Sequence, residues 1–179
     1  MPPNPGKIID SKTGERVPWE KASIYDRVNY FLETIRNTPN YSFFDAPLGR
    51  AVKLRSINVS PTDPRIATAV WELDVLPELC NQTGNMHGGA VAMVLDNLTS
   101  LPIAAVSSKG FWDMGHVSRT INCTYLRPAP MNSKCTVETE IVHLGKGAGM
   151  LRGVIKNAEG KVCYTCEHGK VGWSSDPKL

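Results

Sequence analysis

An almost entirely apolar segment, AVAMVLDNLTSLPIAAV at positions 90–106, constrains the fold of this 179-residue chain more than any other feature. A helix that is apolar on all sides cannot face water, so the sequence from His87 to about Val106 predicts a helix buried inside the protein. Pro102 is expected to kink this helix or to end its regular part. The remainder of the chain must therefore supply a surface that surrounds it.

Strand-like runs before and after the helix can supply that surface. Two precede it and four follow it, at positions 48–59, 66–76, 116–127, 135–144, 150–156 and 162–173. The last three connections are short, which is typical of antiparallel neighbours. We therefore predict an α+β fold in which a curled six-stranded antiparallel sheet wraps around one long central helix.

The N-terminal part of the chain has a different pattern. Residues 1–18 are polar and rich in Pro and Gly, which predicts a loose arm. Apolar residues then recur at helical spacing within positions 19–37, which predicts an amphipathic helix. We expect a helical extension over residues 1–47 and a main domain over residues 48–179.

Composition and charge exclude several classes of protein. Lys and Arg number 20 against 17 Asp and Glu, and the net charge of +3 is too small and too dispersed to predict a nucleic-acid surface. No uninterrupted apolar run reaches the roughly 18 residues of a membrane span. Five cysteines and no apolar leader favour a cytoplasmic protein with free thiols. The ending Pro177-Lys178-Leu179 is a weak peroxisomal match, so a peroxisomal location, like a mitochondrial one, is an alternative.

The start of the central helix, Asn81…His87-Gly88-Gly89, is one candidate reaction site. The first N–H groups of a helix lack intrahelical acceptors and lie at its positive end, so the Gly88 N–H could stabilise an oxyanion. The alternative is that both glycines only allow close packing.

Asp96 is the other candidate, because a charge in the middle of an apolar helix is costly to bury. Such a carboxylate can act as a general base or a nucleophile. The alternative is an Asp that is merely hydrogen-bonded by Asn97, Thr99 or the backbone. Asp96 lies eight residues after Gly88, about 12 Å along a helix, so one carbonyl cannot contact both. A shared site would need two chains, which predicts a dimer with two equivalent sites.

These residues resemble a known family. Asn81, His87-Gly88-Gly89, Asp96-Asn97, Val117-Ser118 and Thr124–Pro128 together resemble the hotdog-fold acyl-CoA thioesterases. The match is to the branch of 4-hydroxybenzoyl-CoA and phenylacetate-pathway thioesterases that includes thioesterase superfamily member 2. It covers roughly residues 48–173 and implies a homodimer or a dimer of dimers that needs no cofactor.

The resemblance also implies roles for the site residues. The Gly88 N–H, beside Gly89, would polarise the thioester carbonyl, Asn81 would hold the carbonyl or the water, and His87 would support the helix entry. Asp96 of the partner subunit would activate water or attack directly, with Ser118 orienting the water or the carboxylate. Coenzyme A phosphates would contact a set of residues near the mouth of the site: Arg127, Lys146, Gly147 and His168. No metal site is predicted, because the Cys163 and Cys166 pair has no second ligand pair.

Three functions fit the sequence. The first is hydrolysis of an acyl-CoA, or of an acyl-carrier-protein thioester. The second is a hotdog dehydratase or hydratase with His87 as its base. The third is a non-catalytic protein that binds acyl thioesters.

Overall fold

The computed structural model describes residues 5–173. Its α-helices are α1 (Ile24–Asn37), α2 (Leu48–Ala51), α3 (Gly88–Ser100) and α4 (Ile103–Val106). Its strands are β1 (Lys7–Ile9), β2 (Arg16–Pro18), β3 (Val52–Val59), β4 (Ala67–Asp74), β5 (His116–Tyr125), β6 (Lys134–Leu144), β7 (Ala148–Asn157) and β8 (Val162–Gly172). Short 3-10 turns lie at Trp19–Lys21 and Pro77–Leu79. The C-terminal tripeptide Pro177-Lys178-Leu179 lies outside the described residues.

Six strands form one antiparallel sheet in the order β3-β4-β6-β7-β8-β5, which confirms the predicted fold. Strands β3 and β5 are therefore its two edges. Alternate residues point to the inner face, where Trp71, Val137 and Leu151 are fully buried with α3. This alternation is the period-two pattern of a sheet with one buried face.

Helix α3 lies close against the inner face of the sheet. A Cβ atom placed on Gly153 of β7 would lie 2.7 Å from Leu95 Cδ2 and 2.8 Å from Thr99 Cγ2, so a side chain there would push the helix away. Regular α-helix ends at Ser100, and Pro102 starts the short helix α4, as expected of that proline. The stretch Gly88–Val106 is long and apolar enough to cross a membrane, but 72% of it is buried in the protein, as in a core helix.

The N-terminal segment departs from the expectation of a loose arm. Residues 7–18 form a β-hairpin, with Ile8 paired to Val17 and Ile8 buried. Helix α1 begins only at Ile24, because the Ser23 Oγ accepts a hydrogen bond from the Asp26 N–H and caps the helix.

Helix α1 packs into the same core as the sheet. Its residues Val28, Leu32 and Ile35 are buried in that core. The Arg27 guanidinium also donates to the carbonyl oxygens of Ala105 (2.9 Å) and Ser107 (3.3 Å), at the end of α4. Residues 48–51 are helical where a strand was expected, so β3 begins at Val52. The boundary at residue 48 stays a prediction.

Candidate active site

The beginning of α3 presents backbone donors. Gly88 is the first residue of the helix, so its N–H has no acceptor within the helix. The cap residue His87 is exposed, and its Nδ1 accepts the next N–H, from Gly89, at 2.9 Å. The Tyr125 hydroxyl donates to the Gly88 carbonyl oxygen at 3.0 Å and so holds this turn against β5.

Asn81 lies in the loop that leads into α3. Its Oδ1 accepts hydrogen bonds from the Thr83 N–H (3.0 Å) and the Thr83 hydroxyl (2.7 Å), and a longer one from the Asn85 N–H (3.3 Å). The hydrogen bonds of the amide oxygen are thus made within the loop. Its Nδ2 remains as the donor that could bind a carbonyl oxygen or a water.

Asp96 lies about two helical turns after Gly88 in α3, and its side chain contacts residues of β5 and β8. Its Oδ1 accepts a hydrogen bond from the Ser118 hydroxyl at 2.7 Å, and the same oxygen lies 3.3 Å from His168 Nε2. The expectation of a buried carboxylate is wrong, because 45% of the Asp96 side chain is exposed in the protomer. Both contacts use Oδ1, so Oδ2 is the oxygen left to take up a water.

His168 lies beneath Asp96 and not at the mouth of the site. It is fully buried, and its Nδ1 lies 2.7 Å from the Thr99 hydroxyl. Burial, and then the positive charge of Lys170, lower the pKa of His168, so the ring is neutral at neutral pH. The expected phosphate contact is therefore corrected: a ring enclosed between α3 and β8 cannot reach a solvent-exposed phosphate.

Sequence reasoning missed Lys170, which completes the polar network around Asp96. Its side chain is buried, and its Nζ donates to Ser100 Oγ at 2.9 Å and to Ser118 Oγ at 3.2 Å. Burial lowers the pKa of Lys170 to about 8, although the nearby Asp96 charge raises it in part. The signal was present: Cys166, His168 and Lys170 alternate along a predicted strand, and Lys is rare at inward positions.

A cavity of about 190 Å³ opens beside this network. Its wall includes Asp96, Ser118, Lys170 and, from the N-terminal extension, Phe31 of α1. His116 of β5 also lines it, and burial, followed by the charge of Lys170, lowers the pKa of that histidine to about 2. The cavity thus combines one buried cation with a neutral imidazole and an aromatic wall.

A larger, open groove of about 630 Å³ runs along the exposed face of α3 from Gly89 to Asp96. Phe43 and Phe44 flank it, and both are strongly exposed. The helix runs antiparallel to β5, since Gly88 contacts Tyr125 and Asp96 contacts Ser118. The two halves of the candidate site, Gly88 and Asp96, are eight residues apart in one helix, and this separation corresponds to about 12 Å.

The residues expected to bind phosphate lie far from one another in the protomer. Arg127 donates to the Val162 carbonyl oxygen at 2.7 Å, at the first residue of β8. Lys146 is exposed on the β6–β7 hairpin, where the neighbouring Gly147 accepts from the Gly172 N–H at the far end of β8. Ten residues of strand separate these ends, about 33 Å. One protomer does not bring Arg127 together with Lys146 and Gly147.

Within residues 5–173 no group of three or more His, Cys, Asp or Glu side chains is arranged to hold a metal ion. The cysteines described there, Cys163 and Cys166 among them, are free thiols.

Comparisons with known proteins show which families and structures this chain resembles. Residues 83–164, which include the whole of α3 and Ser118, match the model of the Thioesterase superfamily. The resemblance to hotdog thioesterases that the motifs carry is thereby confirmed. A comparison with curated protein sequences gives no match.

Solved structures share the fold. Zebrafish thioesterase superfamily member 2 superposes with a TM-score of 0.69 at 21% identity, over 86% of this chain and 100% of that one. The Escherichia coli PaaI protein of the phenylacetic acid degradation operon gives 0.65 at 16% identity, over 84% and 94%. A hypothetical thioesterase protein from Streptococcus pneumoniae, solved with coenzyme A, gives 0.59 at 18% identity, over 70% and 88%.

Proposed function

We propose that this protein hydrolyses acyl-CoA thioesters in a site built from two subunits. The observation that carries the proposal is the division of the site along α3. A free helix-start donor at Gly88 and a hydrogen-bonded carboxylate at Asp96 lie about 12 Å apart on one helix. The exposed face of that helix lines one open groove from Gly89, next to Gly88, to Asp96. Neither half alone supplies both an oxyanion donor and a base, and a second copy of the chain would supply the missing half.

The reaction follows from the chemistry of these groups. The Gly88 N–H, with the Asn81 Nδ2, binds the thioester carbonyl oxygen and stabilises its negative charge as water attacks. Asp96 of the partner subunit takes one proton from that water while its oxygen bonds to the carbonyl carbon. The carbon–sulfur bond then breaks, and the leaving thiolate takes up the proton that Asp96 accepted, which restores the carboxylate. The products are a free acid and coenzyme A.

The edge strand β5 supports this assembly. Its apolar residues Val117, Ile121 and Tyr125 are exposed at 50%, 37% and 52%, and a long unpaired edge strand that exposes apolar side chains is a surface that proteins normally cover. If β5 pairs antiparallel with the β5 of a second copy, the Gly88 end of one protomer lies beside the Asp96 end of the other.

The same pairing gathers the phosphate-binding candidates. Arg127 lies at the Gly88 end of β5 and Lys146 at the Asp96 end, so one subunit's Arg127 would approach the other's Lys146. Both are cations suited to the phosphates of coenzyme A. We also propose that two such dimers associate into a tetramer. Light scattering measures the molar mass of the assembly and so tests this.

Thiol release from a panel of short, long and aromatic acyl-CoAs tests the function. We expect Asp96→Asn to lower kcat by about 10³-fold, because the amide cannot accept a proton, while circular dichroism stays unchanged. Asp45→Asn is the matched control: Asp45 lines the same groove but bonds to Tyr41, and its loss should leave kcat within about twofold. Near-normal hydrolysis by the Asp96 variant, or enoyl formation in place of thiol release, would contradict the proposal.

A further inference from the structure

Lys170 is a buried cation that the hydrolysis scheme above does not use. Its side chain is only 3% exposed, and it projects from β8 toward the 190 Å³ cavity that also borders Asp96. A buried Lys loses hydration free energy, so it is retained only where the surrounding groups compensate or where its charge is useful. The role of Lys170 therefore depends on the groups that its Nζ contacts.

The contacts of Nζ determine the direction of a hydrogen-bond chain. An ammonium group only donates, so the Ser118 oxygen, 3.2 Å from Nζ, must accept. The single proton of Ser118 is then free to point at Asp96 Oδ1, 2.7 Å away. The hydrogen bonds of Ser100 have the same direction. Its oxygen accepts a hydrogen bond from Nζ at 2.9 Å, and its hydroxyl donates one to the Asp96 main-chain carbonyl oxygen.

The ladder between β5 and β8 fixes this arrangement. Ser118 and Lys170 are direct Cα partners across the two strands, so their side chains share the inner face of the sheet. Gly169 lies between His168 and Lys170, and a Cβ atom placed there would lie 2.5 Å from Thr120 Oγ1. A glycine at that position lets β5 and β8 approach at the point where Lys170 meets Ser118.

We propose that Lys170 is a positioning residue for the thioesterase reaction, acting through Ser118 to orient the Asp96 carboxylate. The inference rests on the proposed function and deepens it by one residue. The other titratable groups that face Lys170 are Asp96 from α3, His116 from β5 and His168 from β8 itself. Both histidines are neutral at neutral pH, so Lys170 is the one positive charge among these groups.

Lys170→Met tests the proposal, with Lys156→Met as its matched control. Lys156 lies on the neighbouring strand β7 and pairs with Glu138. We expect Lys170→Met to lower kcat about 10- to 100-fold while KM for the acyl-CoA changes less than threefold, because Lys170 acts on the base and does not touch the thiol carrier. Lys156→Met should leave both constants within about twofold.

The pH profile separates this role from a purely structural one. Lys170 is charged below pH 8, so the activity of the unaltered enzyme should fall as pH rises through about 8. Lys170→Met should lack that alkaline limb, and Lys170→Arg should move it above pH 9, since a guanidinium keeps its charge. Unchanged kcat together with an unchanged alkaline limb in both variants would overturn the proposal.

A titration that needs no activity keeps the two proposals distinguishable. Lysine side-chain NMR should show one resonance titrating near pH 8 that is lost in Lys170→Met. Asp96→Asn should move that midpoint to lower pH, because the carboxylate charge that raises it is gone. A midpoint unmoved by Asp96→Asn would refute the coupling of Lys170 to Asp96. Absent thiol release from the unaltered enzyme would refute the hydrolase function alone.

Discussion

The start and the middle of helix α3 satisfy their polar groups in different ways. At the start, the two polar side chains of the motif bond locally: Asn81 bonds within its own loop, and His87 bonds to the N–H two residues on. Tyr125 of β5 adds one long-range bond there, to the Gly88 carbonyl oxygen. In the middle, Asp96 is bonded by Ser118, 22 residues away, which is in turn bonded by Lys170, 52 residues further on. The site side chains at the helix start are therefore oriented by nearby residues of the chain, whereas Asp96 is oriented by side chains of the sheet.

That contrast separates two kinds of catalytic group. A helix-start donor is a property of the backbone and carries no titratable charge, so its strength does not depend on pH. The Asp96 network holds opposite charges in a confined space, and its behaviour depends on which of them is ionised. The two halves can therefore be damaged independently, with different signatures in rate and in pH dependence.

The backbone half is broken most cleanly by Gly88→Pro. Proline at the first helical position removes the N–H without breaking the helix, and His87 already has the extended backbone (φ −65°, ψ 140°) that a residue before proline adopts. We expect kcat to fall about 10²-fold with an unchanged pH profile, as for the loss of one oxyanion donor.

Gly88→Ala is the control for that change. It keeps the N–H, and its Cβ would lie 3.6 Å from the Tyr125 ring, an ordinary contact. Its kcat should stay within about threefold of the parent. Equal losses in the alanine and proline variants would show that the glycine serves packing and that the N–H is not used.

A smaller effect is expected where the N-terminal extension meets the site. Phe31 of α1 borders the cavity beside Asp96 and Lys170, which makes it a candidate wall for the acyl group. Phe31→Ala should shift relative kcat/KM toward bulkier acyl groups by about 10-fold, the effect of added space in an apolar pocket. Tyr30→Ala, on the same helix but beside the β-hairpin, is the control. Identical acyl preferences in both variants would exclude α1 from specificity.

Much of the fold was accessible from the sequence because its signals are local or periodic. The apolar run at 90–106, the alternation in the strands and Pro102 each predict structure within a few residues. The β-hairpin at residues 7–18 was missed because its strands are only three residues long, too short to show an alternating pattern. The start of α1 was readable in principle, since Ser23 and Asp26 have the spacing of a helix cap.

Only part of the candidate site could be predicted, because some of its residues have local sequence signals and others do not. Gly88, Asp96 and Ser118 follow from the helix and from a motif that resembles a family. Lys170 was missed, and His168 was expected at the phosphates and not beside Asp96, because the relation of both residues to Asp96 depends on the register of β5 against β8. A shift of one residue in that ladder would turn both side chains to the outer face.

The central claim, a site shared between two subunits, is tested by combining two variants whose kcat is strongly reduced. Asp96→Asn and Gly88→Pro chains with different tags are co-expressed, and the mixed dimer is isolated by two successive affinity steps. In a shared site, the mixed dimer has one site with both defects and one with neither. We predict that it recovers about half the kcat of the parent dimer, while each single-variant dimer keeps no more than about 1% of it. A mixed dimer as inactive as its components would contradict the account.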